Sequence, residues 1–241
     1  MRARVDLHIH SCLSPCADND MTPWNIVGMA KVKGLDAVAV CDHNSALNLP
    51  AAMKAGREYG VCVVPGMEVT SREEVHLLCY FPLLEQALAM GELVGGKQLS
   101  IKNKPSLFGE QRLVNEDDEP AGELERLLLS ACDLGIEDIA EAAERLGGAM
   151  VPAHINKGAN SLLPILGFLP EAPPMPTVEI YGIRPHSALG KLCLTSSDAH
   201  QLMDISEEGH PLFCRALTPA GVVEALRGGE ALQGSLERSG P

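Results

Sequence analysis

Six times along this chain a strand-like apolar run meets a histidine or a carboxylate, and that recurrence restricts the fold more than any other feature. The first case is Val5-Asp6-Leu7-His8-Ile9-His10. Alternate side chains of a strand share a face, so His8 and His10 project together and can grip one metal ion. The others are Asp42-His43 after the run through Cys41, Glu68 just past Gly66, His76 in the strand opening at Val75, His154 after the run from Ala149, and Asp198 with His200 after the run from Leu192. Asp198 and His200 repeat the i, i+2 spacing of His8 and His10. Only His186 and His210, each beside a proline, lie elsewhere, and both read as loop residues.

Helical patterns separate these runs. Thr22 is placed to cap a helix over 23–33, with Pro23 at its first position and Gly34 as its stop. Further helices are expected at 50–59, 123–131, 136–146, 161–168 and 219–227, and further strands at 61–65, 177–181, 192–195 and 213–217. Residues 91–122 read as an irregular insertion, with Glu116-Asp117-Asp118-Glu119 as a solvated acidic face. Alternating strands and helices predict a parallel sheet flanked by helices. Closed into a barrel, such strands bring their C-terminal ends to one face, whereas an open sheet spreads them along an edge. The expectation is therefore an α/β, TIM-like barrel forming a single domain over 1–241.

Composition narrows the function classes. The net charge is −13 and aromatics make up 3%, which argues against an extensive nucleic-acid surface built on basic side chains and stacking rings. An acidic chain can still take an anionic substrate where bound metals reverse the local charge. Of the 8 cysteines, Cys41, Cys62, Cys79 and Cys193 sit inside apolar runs, and the set does not read as a disulfide framework. With no signal-like N-terminus and no membrane-length apolar run, a cytoplasmic location is expected, without a membrane partner.

The segments DLHIHS, VCDHNS, PGMEVTS, VHLLCYF, VPAHIN and SSDAH, in this order over about residues 5–200, resemble the motifs of the PHP (polymerase and histidinol phosphatase) family. The stretch DMTPWNIVGMAKVKGLDAVAVCDH is similar to its stand-alone phosphoesterases. The resemblance implies a distorted (β/α)7 barrel with up to three divalent metals. It would put His8, His10, Glu68 and Asp198 on the first metal, with Glu68 bridging to a second held by His76 and His154. A third would take His43, His200 and a carboxylate from the loop after the first strand. Relatives have HSxxSDG there, whereas this chain carries a longer loop. Counting back from Thr22-Pro23 selects Asp18, with Asp20, Cys12 and Cys16 as competitors. Asp42 is expected to orient His43 or a neighbour.

Three carboxylates against three divalent ions would leave a cationic pocket of about +3, suited to a phosphate ester. The expected activity is a metal-dependent phosphatase or phosphodiesterase acting on a small phosphorylated substrate, nucleotides included, with manganese, zinc or iron as two to three cofactor ions. Glu68, Asp198 and His200 are the expected catalytic residues, and Lys157 and Arg184 the added contacts to phosphate. A metal hydrolase resembling the amidohydrolases is the competing enzyme, although those bridge their metals with a strand lysine where Glu68 stands here. A non-catalytic PHP module, as in some polymerases, is the third reading. The substrate, the metal and the oligomeric state are left open by the sequence.

Overall fold

The computed structural model describes residues 1–238. Strand β1 (Arg2–Ile9) lies parallel to β2 (Ala37–Val40), and β2 parallel to β3 (Cys62–Thr70), with helices α1 (Pro23–Val32) and α2 (Leu49–Tyr59) as the crossovers. The start of α1 is as expected: Thr22 Oγ1 accepts from the Asn25 N–H at 3.4 Å and Pro23 opens the first turn. Next come β4 (His76–Tyr80), α3 (Leu84–Lys97), α4 (Pro105–Phe108), the hairpin of β5 (Arg112–Val114) and β6 (Pro120–Glu123), and α5 (Ile136–Arg145). After β7 (Ala149–Pro152) the chain forms α6 (Leu162–Leu166), β8 (Thr177–Glu179), β9 (Leu192–Leu194), β10 (His210–Phe213) and α7 (Pro219–Arg238). None of the described helices is long and apolar enough to cross a membrane.

The main sheet is a curled half-barrel of six strands in the order β10-β1-β2-β3-β4-β7, with β8 and β9 as a separate parallel pair. This corrects the all-parallel (β/α)7 expectation. β4 is antiparallel to both β3 and β7, and β10 is antiparallel to β1. The cause is the connection between β3 and β4, which is too short for the crossover that parallel strands require. Ser71 closes it, donating its N–H to the Val75 carbonyl at 2.9 Å and accepting the Val75 N–H at 3.3 Å.

Three local expectations also change. Residues 91–97 are not irregular but finish α3, whose Ala87, Met90 and Val94 are buried. Residues 124–130 are not helical, because side chains have taken their backbone groups. Gln111 donates to the carbonyls of Leu124 and Arg126 and accepts the Leu128 N–H, while Asn44 donates to the carbonyls of Leu128 and Ser130. The last strand begins at His210 rather than at 213, so His210 is not a loop residue. Pro211 is tolerated there because β10 is an edge strand, where a missing N–H costs no ladder bond.

Alternate residues feed two apolar clusters. Val38, Val40, Met67, Val69, Leu77 and Cys79 pack outward under α1, α2, α3 and α5. Ala3, Val5, Leu7, Ala37, Ala39, Cys41, Val64, Leu78, Tyr80 and Val151 fill the concave side, where Val222, Val223, Ala225 and Leu226 of α7 cover them. The strict alternation of β1 breaks once. Leu7 belongs to the inner cluster and Ile9 to the outer one, across a register shift between Asp6 and Ile9. A bulge of this kind re-aims a side chain, and here His8 and His10 sit at the mouth of the concave side.

Candidate metal centre

The inward positions of the strands change character at one level. On β3, Val64 and Gly66 are followed by Glu68; β2 continues past Cys41 to His43; β8 carries Glu179. His76 opens β4 rather than ending it, but β4 runs antiparallel, so its start lies level with the ends of its neighbours. Among the ionisable residues gathered here, His154 and Asp198 have positive φ, +26° and +53°. Non-glycine residues in that region cluster where side-chain placement matters more than backbone comfort.

Glu68 is the hub. Its carboxylate is 1% exposed and is ringed by five imidazoles: His76 Nδ1 at 2.9 Å, His43 Nδ1 at 3.0 Å, His8 Nε2 at 3.3 Å, and His10 Nε2 and His154 Nε2 at 3.5 Å. Asp198 Oδ1 stands 3.3 Å from His10 Nε2 and 3.4 Å from His8 Nε2, while its Oδ2 takes the Lys157 ammonium at 2.6 Å. His200 packs on His10 with ring centroids 4.4 Å apart. Donor atoms of His8, His10 and Asp198 lie within 4.8 Å of one another, as do those of His10, His43 and His200, and of His43, Glu68 and His76.

Hydrogen bonds behind these side chains favour one tautomer of each imidazole. His8 Nδ1 donates to Glu179 Oε2 at 3.0 Å, which also accepts the His154 N–H. His10 Nδ1 donates to Ser14 Oγ at 3.0 Å, and Ser14 passes its own proton to Asp42 at 2.7 Å. His154 Nδ1 meets Ser161 Oγ at 3.0 Å. With Nδ1 protonated on each, the Nε2 lone pairs face inward, and those of His8 and His10 stand 3.1 Å apart. Two lone pairs at that separation repel unless a cation or proton lies between them. His43 Nδ1, His76 Nδ1 and Glu68 Oε1 are likewise buried, and although the two nitrogens stand 3.0 and 2.9 Å from the carboxylate, none of the three atoms is aligned for a hydrogen bond. Such groups are costly in a dry site, and imidazole with carboxylate is the donor set that suits divalent transition metals. The residues fit a metal cluster.

Electrostatics agree. Burial alone would raise the Glu68 pKa, but His76, His8 and His43 outweigh it and hold the carboxyl well below its usual range. Burial would lower His8, yet Glu179 and Glu68 raise it. His10 is lowered by burial and by His43. Against burial, Asp198 is held down by His10 and His8.

Of the expected site residues, His8, His10, His43, Glu68, His76, His154, Asp198 and His200 converge, and Lys157 joins them through Asp198. Asp18 is exposed; its N–H bonds the His200 carbonyl, but its carboxylate belongs to none of the three donor groups. Cys16, not Asp18, lines the open cavity of about 560 Å³ over the centre. Arg184 is not brought to the site: its guanidinium bonds the carbonyls of Ala188 and Lys191 and lies 3.8 Å from Glu230. Glu179 was missed by sequence reasoning, although Thr177-Val178-Glu179 alternates as β1 does. Asp42 serves His10, through Ser14.

Residues 6–151 match the sequence profile of the PHP domain. The chain belongs to the PHP domain family. A phosphoribosyl 1,2-cyclic phosphate 1,2-diphosphodiesterase of Eggerthella lenta is 33% identical over 114 residues, 45% of this chain and 42% of that one. The chain spans less than half the length of the curated relatives it matches. Among solved structures, the lesion-specific endonuclease Q of Pyrococcus furiosus superposes with a TM-score of 0.68 at 23% identity, over 95% of this chain and 56% of that one. A metal-dependent phosphoesterase of Bifidobacterium adolescentis gives 0.59 at 18%, over 92% and 94%. Endonuclease Q is also known in complex with a 27-mer duplex carrying an abasic lesion at the active site. That complex overturns the expectation of no extensive nucleic-acid surface. Net charge and aromatic content average over the whole surface, so they do not exclude a duplex substrate for a protein of this fold.

Proposed function

We propose that this PHP chain is a metal-dependent phosphoesterase, cleaving phosphate mono- or diesters at a centre of two to three manganese, zinc or iron ions. The observation that carries the reading is the buried Glu68 carboxylate ringed by five imidazoles, with unpartnered nitrogen and oxygen atoms turned into the ring. His8, His10, Glu68 and Asp198 would hold one ion, Glu68, His76 and His154 a second, and His43 with His200 a third. Bound divalent ions supply Lewis acidity to the phosphoryl oxygens and a hydroxide nucleophile near neutral pH. The protein's own groups do the rest. Glu179 and the Ser14–Asp42 relay hold His8 and His10 with Nε2 inward. Lys157, 43% exposed at the side chain and 2.6 Å from Asp198, places a cation at the cavity mouth where a phosphate enters.

Elemental analysis of gently purified protein, with assays on p-nitrophenyl phosphate and bis-p-nitrophenyl phosphate, tests the proposal. Two to three equivalents of metal, with hydrolysis abolished in His8→Ala and Asp198→Ala, are expected. A protein that binds no metal and gains no activity from added manganese or zinc would sink it.

A further inference from the structure

The loop after β8 presents an aromatic ring to solvent beside the centre. Tyr181 is 63% exposed and Ile183 89% exposed. Single exposed apolar side chains are ordinary on a protein surface, so exposure alone decides nothing. The loop, however, is held at both residues. Asn156 Oδ1 accepts the Tyr181 N–H at 2.8 Å, and Asn156 Nδ2 donates to the carbonyls of Tyr181 at 2.8 Å and Ile183 at 3.1 Å. Asn156 lies two residues after His154, so the stapled loop moves with a member of the ring around Glu68. Lys157 links them a second time. Its Nζ sits 2.6 Å from Asp198 Oδ2 and 5.7 Å from the centroid of the Tyr181 ring.

The other tyrosines are spent on the fold: Tyr80 is fully buried, and Tyr59 packs edge-on against Trp24 at 5.8 Å. Tyr181 thus offers an open π-face one ammonium away from the metal-binding carboxylate. We propose that Tyr181, flanked by Ile183, is a stacking platform for the base of a nucleotide whose phosphate occupies the metal centre. This rests on the phosphoesterase reading for the phosphate end and adds to it the chemistry of the group beyond the ester. An aliphatic alcohol ester would gain nothing from the ring, whereas every base has a face to lay on it. Lys157 would lie where phosphate and ring meet, able to serve either.

Calorimetric binding of two non-hydrolysable phosphonates tests this, one an analogue of adenosine monophosphate and the other of ribose 5-phosphate, with a methylene replacing the ester oxygen. The metal-loaded wild type should bind the adenosine compound about ten-fold more tightly. Tyr181→Ala should erase that preference without weakening the ribose compound, and Tyr181→Phe should keep it. A preference that survives Tyr181→Ala, an equal loss for both ligands, or no binding of either overturns the platform. A 5′-phosphorylated tetranucleotide in the same series separates sources: tighter binding than the mononucleotide points to a strand end, equal binding to a free nucleotide. Hydrolysis of p-nitrophenyl phosphate is followed in parallel. Hydrolysis without base preference sinks the platform alone, and a Tyr181-dependent preference without hydrolysis sinks the catalytic reading alone.

Discussion

On β3 the inward positions read Val64, Gly66, Glu68, and on the antiparallel β4 they read, from the opposite end, Tyr80, Leu78, His76. Both strands are apolar at one end and ionisable toward the other, with Glu68 opposite Leu78 and His76 one inward position further on, opposite Thr70. The lower level is filled by volume matching. A Cβ on Gly66 would come within 2.8 Å of Cys41 Sγ and 3.3 Å of the Tyr80 ring, so no space is left. Tyr80 satisfies its hydroxyl on the Leu7 carbonyl at 2.8 Å. The upper level instead leaves buried nitrogen and oxygen atoms unpartnered. Two adjacent layers of one face therefore answer to different demands: the lower one holds the strands together, and the upper one gathers donor groups of the kind that suit a metal ion.

Exchanging the layers' key residues should separate those demands most sharply. Glu68→Ala should cut metal-dependent hydrolysis by at least about a thousand-fold. In metal-free protein at pH 8 it should change stability by less than about 1 kcal/mol, because the imidazoles it leaves behind can give up their protons rather than stay charged. Tyr80→Ala should do the reverse. Losing a fully buried ring should cost roughly 3–5 kcal/mol, while metal bound per folded molecule holds. Denaturant melts beside metal titrations check both. If Glu68→Ala unfolds the metal-free chain as readily as Tyr80→Ala, the division between layers is wrong.

The upper layer was legible in the sequence because its histidines and carboxylates obey the strand period. His8 with His10, Glu68 and Asp198 announced themselves by alternation at the ends of apolar runs. The antiparallel β4 was not, since a run reads the same in either direction; only the short 71–75 link carries the information. Residues 124–130 misled for another reason. Their leucine spacing suits a helix, but Gln111 and Asn44, distant in sequence, claim the backbone groups a helix would use. Arg184 was assigned by its place after a strand, and a carbonyl cage from its own loop holds it elsewhere. Glu179 went unmarked because one carboxylate in a short strand looks ordinary until His8 is seen to lean on it.

Glu179 sharpens the comparison by standing at the boundary between the layers, buried yet ionised. Burial would raise its carboxyl, but His8 foremost holds it below the usual value. Its charge keeps the proton of His8 on Nδ1 and turns Nε2 toward His10 and Glu68. Glu179→Gln retains the shape and an acceptor but not the charge. Metal affinity, read by competition with a chelator, should fall about 10- to 100-fold, with thermal stability of the metal-free protein nearly unchanged. An affinity within two-fold of wild type would mean that backbone strain at His154 and Asp198, rather than the carboxylate, sets ligand geometry.

A titratable group away from both layers supplies the smallest effect and a control for the pH behaviour of the centre. His210 at the start of β10 bonds Thr195 Oγ1 at 3.1 Å, across the seam between β9 and β10, and burial lowers its pKa to about 4. The folded state therefore disfavours its cation. Its contribution to stability is fully present above the unfolded value near 6.5 and is lost as the pH falls from there through 4. At about 1.4 kcal/mol per pKa unit the upper bound is roughly 3 kcal/mol, and the partial exposure of the ring brings the expectation to about 2 kcal/mol. His210→Gln should be less acid-sensitive than wild type by that amount between pH 7 and pH 4, measured as the difference between their urea midpoints with both proteins stripped of metal. Whatever the centre contributes is common to both proteins and cancels. If the two curves run parallel through that window, His210 contributes nothing to acid unfolding.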